Sequence, residues 1–176
     1  MFDDETERAL TLNQPWATLI IEHTKRIENR PWKSETVRGR RIWIHTSSND
    51  RPLAEEGLAK ASLTGFKLED STFGGYVRSA ILGSVLVLGF HRRGDPDSWN
   101  KLAPEARLIY EENEEQWYDA RGWAWILTAP WALPEPIPCP GSRRLWTPDS
   151  LVLARARMMR RLGKPVGPDL MMRRPG

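Results

Sequence analysis

The chain has a single cysteine, Cys139, so it can form no internal disulfide and no Cys-rich zinc site. Its three histidines, His23, His45 and His91, lack the spacings that hold a metal, and no carboxylate cluster joins them. Neither a metal nor a cofactor is expected. Gly74-Gly75 and Gly83 read as turn and close-packing glycines, not as a phosphate loop. No apolar run approaches the roughly 20 residues that span a bilayer. The opening stretch, Met1 to Leu10, carries Asp3, Asp4, Glu5 and Glu7 and has no apolar core, unlike a signal peptide. These absences point away from the membrane and towards the reducing cytoplasm. There is no internal repeat and no low-complexity block.

What is present is a packed globule. The chain has 176 residues, 40% of them hydrophobic, and nine tryptophans, enough for one domain with a real core. Its net charge of +3 hides an asymmetry. From Gly141 to Gly176 nine basic residues face two aspartates, a net +7 that leaves −4 on the first 140 residues. Basicity gathered at one end is a common footprint of polyanion attraction, although a solvated basic tail would look the same.

Asn13-Gln14-Pro15-Trp16 reads as a helix start, with Trp16, Leu19, Ile20 and His23 on one face. Residues 26–30 read as a strand stopped by Pro31. Residues 40–46 alternate as a half-buried strand with Ile42 and Ile44 facing one way. Asp50-Arg51-Pro52 is expected to open a second helix reaching about residue 62. Residues 80–90 read as a strand buried on both faces. Pro104 starts a helix to residue 118, with Leu108, Ile109 and Trp117 inward, and residues 123–128 form another strand. The five prolines of 130–140 predict extended coil. Thr147 and Pro148 are expected to start a last helix, to about residue 162, with Leu151, Ala154, Met158 and Leu162 as its apolar stripe. Arg157, Arg160, Arg161 and Lys164 share another face. The pattern predicts an α+β fold built on a small mixed barrel.

The chemistry concentrates in Gln14-Pro-Trp-Ala17 and in Lys25, Glu28, Arg30 and Trp32. Lys and Arg can hold phosphate or carbonyl oxygens, Glu28 can accept from a base edge or take a proton, and tryptophans offer stacking faces. The plainer alternative is that Glu28 pairs with Lys25 or Arg30 and that Trp16 and Trp32 belong to the core. His45, closing its strand, could bind phosphate or act as a general acid or base near neutral pH, or be a satisfied strand-end histidine.

In order along the chain, Gln14-Pro-Trp-Ala17, Lys25-x-x-Glu28-x-Arg30-x-Trp32, Arg38-Gly39 before Ile42-Trp43-Ile44-His45, Ala80-Ile-Leu-Gly-Ser-Val85, Trp125-Ile-Leu-Thr-Ala-Pro130 and Pro136 to Trp146 resemble the ASCH domain of the PUA-like superfamily. The resemblance implies a small β-barrel with flanking helices and a basic cleft over residues 9–150. It sets apart an N-terminal extension (1–8), a basic C-terminal helix (148–162) and a flexible basic tail (163–176). It further implies nucleic-acid binding, with RNA ahead of DNA. Gln14, Trp16, Arg30, Trp32, Arg40, Arg157, Arg160 and Arg161 would contact the nucleic acid. In the rival enzyme reading, a metal-independent ribonuclease, Lys25, Glu28 and His45 would be catalytic. A third reading is a reader of a modified nucleoside. Small amidohydrolases of the family resemble the chain at Lys25 and Arg30 but carry a threonine nucleophile where Glu28 stands, and a glutamate does not replace an activated hydroxyl.

Overall fold

A computed structural model of the chain describes residues 7–165. Strand β1 (Arg8–Leu12) leads into helix α1 (Trp16–Glu22), β2 (Ile27–Arg30), β3 (Arg41–Thr46) and α2 (Glu55–Leu63). Then come β4 (Ala80–His91), α3 (Pro96–Asn100), α4 (Pro104–Trp117), β5 (Trp123–Pro138), β6 (Leu145–Trp146), α5 (Ser150–Arg160) and β7 (Lys164–Pro165). The architecture is mixed α+β. One sheet runs β2-β5-β4-β3-β1-β6 as a half-barrel, with β7 added beside β5, and helices flank it. Among the described residues only β1 and β3 pair in parallel, with Leu10 opposite Ile44; the other ladders are antiparallel.

Three apolar clusters hold the layers together. The first fills the concave sheet, where Ile42, Ile44, Leu82, Phe90 and Trp125 meet Ile20 of α1. The second packs α4 against β2 and β5 through Tyr110, Trp117, Ile27 and Ile126. The third seats α5 on Trp43, Ile81 and Ile137. Strand β3 is therefore buried on both faces, not half-buried, because α5 covers Trp43 and the segment from Cys139 to Trp146 covers His45. Each of Trp117 and Trp125, at most 1% exposed, contributes about 2–3 kcal/mol by burial.

Several local expectations need correction. Strand β5 continues through the proline-rich segment to Pro138. The N–H of Cys139 bonds the Ser79 carbonyl, and Ile137 lies opposite Ile81, so Pro138 between them lacks its N–H only on the side facing away from β4. Pro134 and Pro136 fall where the register shifts between Ile81 and Gly83, and a bulge is the other position at which a sheet tolerates proline. Helix α2 starts at Glu55, because Asp50 is taken up by the Ser48 hydroxyl in a turn and the Ala54 N–H bonds the Gln14 carbonyl.

In α4, Leu108 is 55% exposed, and Ala106 and Tyr110 face inward instead. The cap of α5 is Asp149, whose carboxylate accepts from Leu151 N and Val152 N at 3.0 and 2.9 Å. Thr147 instead takes the Arg8 guanidinium. The helix buries Leu153, Ala156 and Met159, so the anticipated stripe faces outward, with Leu151, Met158 and Leu162 exposed. Of the tail anticipated over 163–176, Lys164–Pro165 pairs with β5 and the part after residue 165 lies outside the described residues, as do residues 1–6 of the N-terminal extension.

Candidate functional site

Helix α1 ends at Glu22, and the Lys25 N–H bonds the Leu19 carbonyl, drawing the chain back under the helix. Arg26 strengthens the turn by donating to the carbonyls of Ile20 and Lys25 at 3.2 and 3.1 Å, as a basic residue at a helix C-terminus does. Burial pushes its guanidinium down to about 10. The result points Lys25 inward, only 2% exposed, just before β2 begins.

Lys25 Nζ donates to the Ile27 carbonyl and to Glu28 Oε2, the latter at 2.7 Å. Arg30 Nε lies 3.2 Å from Glu28 Oε1, within charge attraction, but its N–H is not aimed at an acceptor among the described residues. The other end of Arg30 donates to the Thr11 carbonyl at 3.0 Å. Burial lowers the Lys25 ammonium below its ordinary range; Glu28 opposes that shift, and Arg30 and Lys60 add to it. Glu28 is thus a carboxylate held between two cations.

This pair forms the floor of an open cleft of about 450 Å³. Trp16 makes one wall, with Lys25 Nζ 5.4 Å from its ring centroid. Helix α2 closes the cleft because Gly57 lets it approach closely: a Cβ there would stand 2.7 Å from Pro15 Cγ and 3.3 Å from the Trp16 ring. Helix α4 supplies Trp117, and the turn after it supplies Asp119 and Arg121. Asn29 fixes that turn, donating to Trp117 O and accepting from Asp119 N, each at 2.8 Å.

The cleft's charge differs from the basic cleft the resemblance implied. Lys25 meets Glu28 at 2.7 Å, Lys60 meets Glu56 at 3.2 Å and Arg121 meets Asp119 at 2.6 Å, so the lining cations and carboxylates pair off. Such a lining suits a neutral, hydrogen-bonding ligand with a flat face better than a bare phosphate.

The other candidates sit elsewhere. Gln14 is fully buried; its side chain donates to Thr18 Oγ1 and Val77 O and accepts from Thr18 N, so it clamps the start of α1 to the loop before β4. Trp32 is half-buried, edge-on to Trp125, with the Arg144 guanidinium 5.9 Å from its ring. Arg40 is exposed on the turn before β3. Arg157 pairs with Glu7 at 3.1 Å, Arg160 lies over Trp43, and Arg161 is exposed at the end of α5.

His45 is 1% exposed. The Trp146 N–H donates to Thr11 Oγ1, and the two ring nitrogens of His45 meet Thr11 Oγ1 and Cys139 O at 3.1 and 2.9 Å. A neutral ring donating from Nε2 satisfies the whole chain of bonds. Burial lowers its pKa, opposed only by the bond to Cys139. It does not line the cleft. Lys60, Arg121, Asp119 and Trp117 do line it and escaped the sequence reading, since they arrive from distant segments with no local signal.

Among the described residues no three His, Cys, Asp or Glu side chains are grouped to hold a metal. No helix among them is long and apolar enough to cross a membrane.

Comparison with known proteins supplies a family. The ASCH domain matches residues 10–126. No curated protein matches the chain. Among solved structures, it is similar to an ASCH protein from Zymomonas mobilis at 16% identity and a TM-score of 0.48, covering 93% of this chain and 100% of that one. A serine-to-alanine mutant of the Zymomonas mobilis protein is equally similar, at 16% identity and a TM-score of 0.48, over 92% and 99% of the two chains.

Proposed function

The chain belongs to the ASCH domain family, and from that premise we propose that it binds nucleic acid, RNA ahead of DNA, with one base or nucleoside held in the Lys25–Glu28 cleft. The observation that carries this reading is the buried ion pair at the floor of an open cleft. Removing two charges from water costs several kcal/mol, and a pair serving packing alone is often replaceable by apolar residues at no loss. Placed beside a tryptophan face in a hollow of about 450 Å³, the same pair has a use. Glu28 accepts from a base edge, Lys25 holds the carboxylate in place, and Trp16 offers a stacking surface. Phosphates fall to arginines outside the cleft.

Nothing in the geometry favours cleavage over binding. Both carboxylate oxygens of Glu28 already face cations, which suits an acceptor better than a proton-abstracting base. His45 is buried, with both ring nitrogens engaged.

The test follows binding of single-stranded RNA, the matching DNA and free nucleosides, unmodified and modified. RNA incubated with the protein in EDTA is examined for cleavage in parallel. Trp16→Leu should weaken binding about 5–150-fold, the worth of one stacked base. Absence of saturable binding to any of these ligands would remove the proposal; turnover in EDTA would replace it with the ribonuclease.

A further inference from the structure

Among the described residues β2 and β6 are the two ends of the curved sheet and share no ladder. Side chains span the seam instead. Arg30, the last residue of β2, donates to Thr11 O of β1 at 3.0 Å, and Arg144, just before β6, sets its guanidinium 5.9 Å from the Trp32 ring. Resting on the proposal that the Lys25 cleft holds one base, we infer that this seam carries the flanking nucleotides of a single strand, with bases on Trp32 and Trp123 and phosphates on Arg143 and Arg144.

The cationic side is held by the backbone. Arg144 has a φ of 58°, in the left-handed region that glycine enters freely and a residue with a Cβ enters at a cost. The segment is fixed on both sides of it. The Cys139 N–H bonds Ser79 O, His45 Nε2 meets Cys139 O at 2.9 Å, and Leu145 pairs with Leu10. An arginine kept where glycine would be at ease points to a use for its side chain. Arg143 and Arg144 are both exposed, and among the described residues neither meets a carboxylate. Glu35, just beyond Trp32 in the chain, is already held by Lys33 and Arg38 at 3.0 and 2.6 Å.

The aromatic side is equally fixed. Trp123 lies opposite Arg30 in the ladder of β2 and β5, and Trp32 follows Arg30 by two residues. Both rings pack on the first apolar cluster and keep part of their surface open. Trp32 stands edge-on to Trp125, whose indole N–H donates to Trp32 O at 2.9 Å. Each ring has a cation over it, Arg144 at Trp32 and Lys33 Nζ at 4.4 Å from the Trp123 centroid. Tryptophan faces beside cations serve a base and its phosphate together. An acidic peptide would meet the same arginines but bring no flat face for the rings. The seam also adjoins the cleft: Glu28 and Arg121 line the cleft, and Trp32 and Trp123 follow them in the chain. The four steps from Glu28 to Trp32 span at most about 14 Å, so nucleotides flanking the bound base reach the rings.

The experiment titrates the full chain with single-stranded RNA of about 8 nucleotides, with free nucleosides and with oligoglutamate. It follows the indole N–H signals of Trp32 and Trp123 by NMR, assigned through Trp32→Phe and Trp123→Phe, and measures affinity in parallel. RNA should shift both signals saturably, whereas a nucleoside, filling only the cleft, should leave them in place. Arg144→Gly relieves the backbone, so Tm should hold within about 2 °C. RNA affinity should nevertheless fall at least about tenfold, with nucleoside affinity unchanged. Arg143→Glu, at an exposed position, should weaken RNA in the same way. The inference alone is overturned if RNA binds and is weakened by Trp16→Leu while the Trp32 and Trp123 signals stay unmoved. It is equally overturned if Arg144→Gly lowers Tm and keeps RNA affinity, since the arginine then serves the fold, or if oligoglutamate shifts both signals as strongly as RNA. Absence of any RNA binding by the parent chain overturns it together with the reading on which it rests.

Discussion

Replacing Glu28 by glutamine is nearly isosteric, yet it should be costly. In the native fold Lys25 is 2% exposed and its ammonium has two acceptors, Glu28 and the Ile27 carbonyl. Glu28→Gln removes the only carboxylate and leaves a buried cation on carbonyl oxygens. Breaking one partner of a buried pair costs about 3–5 kcal/mol, and for a chain of this size each kcal/mol lowers Tm by about 2–4 °C. A fall of about 6–20 °C is therefore expected at neutral pH. Burial already lowers the Lys25 pKa below the unfolded value of 10.5, and the substitution lowers it further. The unfolded chain then binds the extra proton, so stability rises with pH between the folded and unfolded pKa values. The deficit of the variant should shrink on the alkaline side by up to about 1.4 kcal/mol per pH unit. The double variant Lys25→Met with Glu28→Gln should recover most of the loss, since no charge is left stranded. Thermal unfolding at pH 7 reads the fall, and urea unfolding from pH 7 to 10 reads the pH dependence and the recovery. A Glu28→Gln protein within about 0.5 kcal/mol of the parent at pH 7, or a deficit independent of pH, would refute the reasoning.

Asp149→Ala should lower stability by about 1 kcal/mol, because two α5 N–H groups lose their acceptor; Thr147→Ala should not reproduce the loss through capping, and thermal unfolding compares the two. His45 folds neutral with its pKa lowered, so its contribution is complete above about pH 6.5 and is lost as pH falls. His45→Gln should flatten the acid limb of stability by one proton's worth, measured by urea unfolding from pH 7.5 to 5; an unchanged slope would contradict the assignment. Arg144→Ala should reduce the salt slope of single-stranded RNA binding by about 0.7, whereas Trp16→Leu should weaken affinity with the slope intact. Titrations between 50 and 200 mM salt separate the two effects.

Where residues speak to near neighbours, the chain was legible. Continuous apolar text at Ala80 to Phe90 gave a strand buried on both faces, and the close spacing of Lys25, Glu28 and Arg30 placed them in mutual contact. The plainer alternative for Glu28, pairing with its neighbours, is what the geometry has, and that pair lines a cleft. What could not be read depends on partners far along the chain. The sequence of α5 holds two apolar stripes, and periodicity alone cannot choose between them. The sheet selects Leu153, Ala156 and Met159, which also brings Arg155 to Glu135 and Arg157 to Glu7. The prolines of β5 look like coil until the pairing with β4 and its bulge are known, since only there is the missing N–H harmless. Lys60, Asp119 and Arg121 join the cleft through α2 and the turn after α4, and nothing near them in sequence announces it.

The distribution of charge divides the work of binding. A protein holding polynucleotide by phosphates alone needs an unbalanced cationic groove, and its discrimination between ligands is then poor. The Lys25 cleft is the opposite: its cations and carboxylates pair off, and its free surfaces are tryptophan faces and hydrogen-bonding edges. It can distinguish one base from another but gains little from a phosphate. The described arginines after residue 140 do not line it, and Arg144 over Trp32 and Arg160 over Trp43 each set a guanidinium beside an aromatic ring. Affinity that varies with salt should therefore be governed by those arginines and selectivity by the cleft. Loss of one without the other is what a two-part interface requires and what a single basic groove cannot produce.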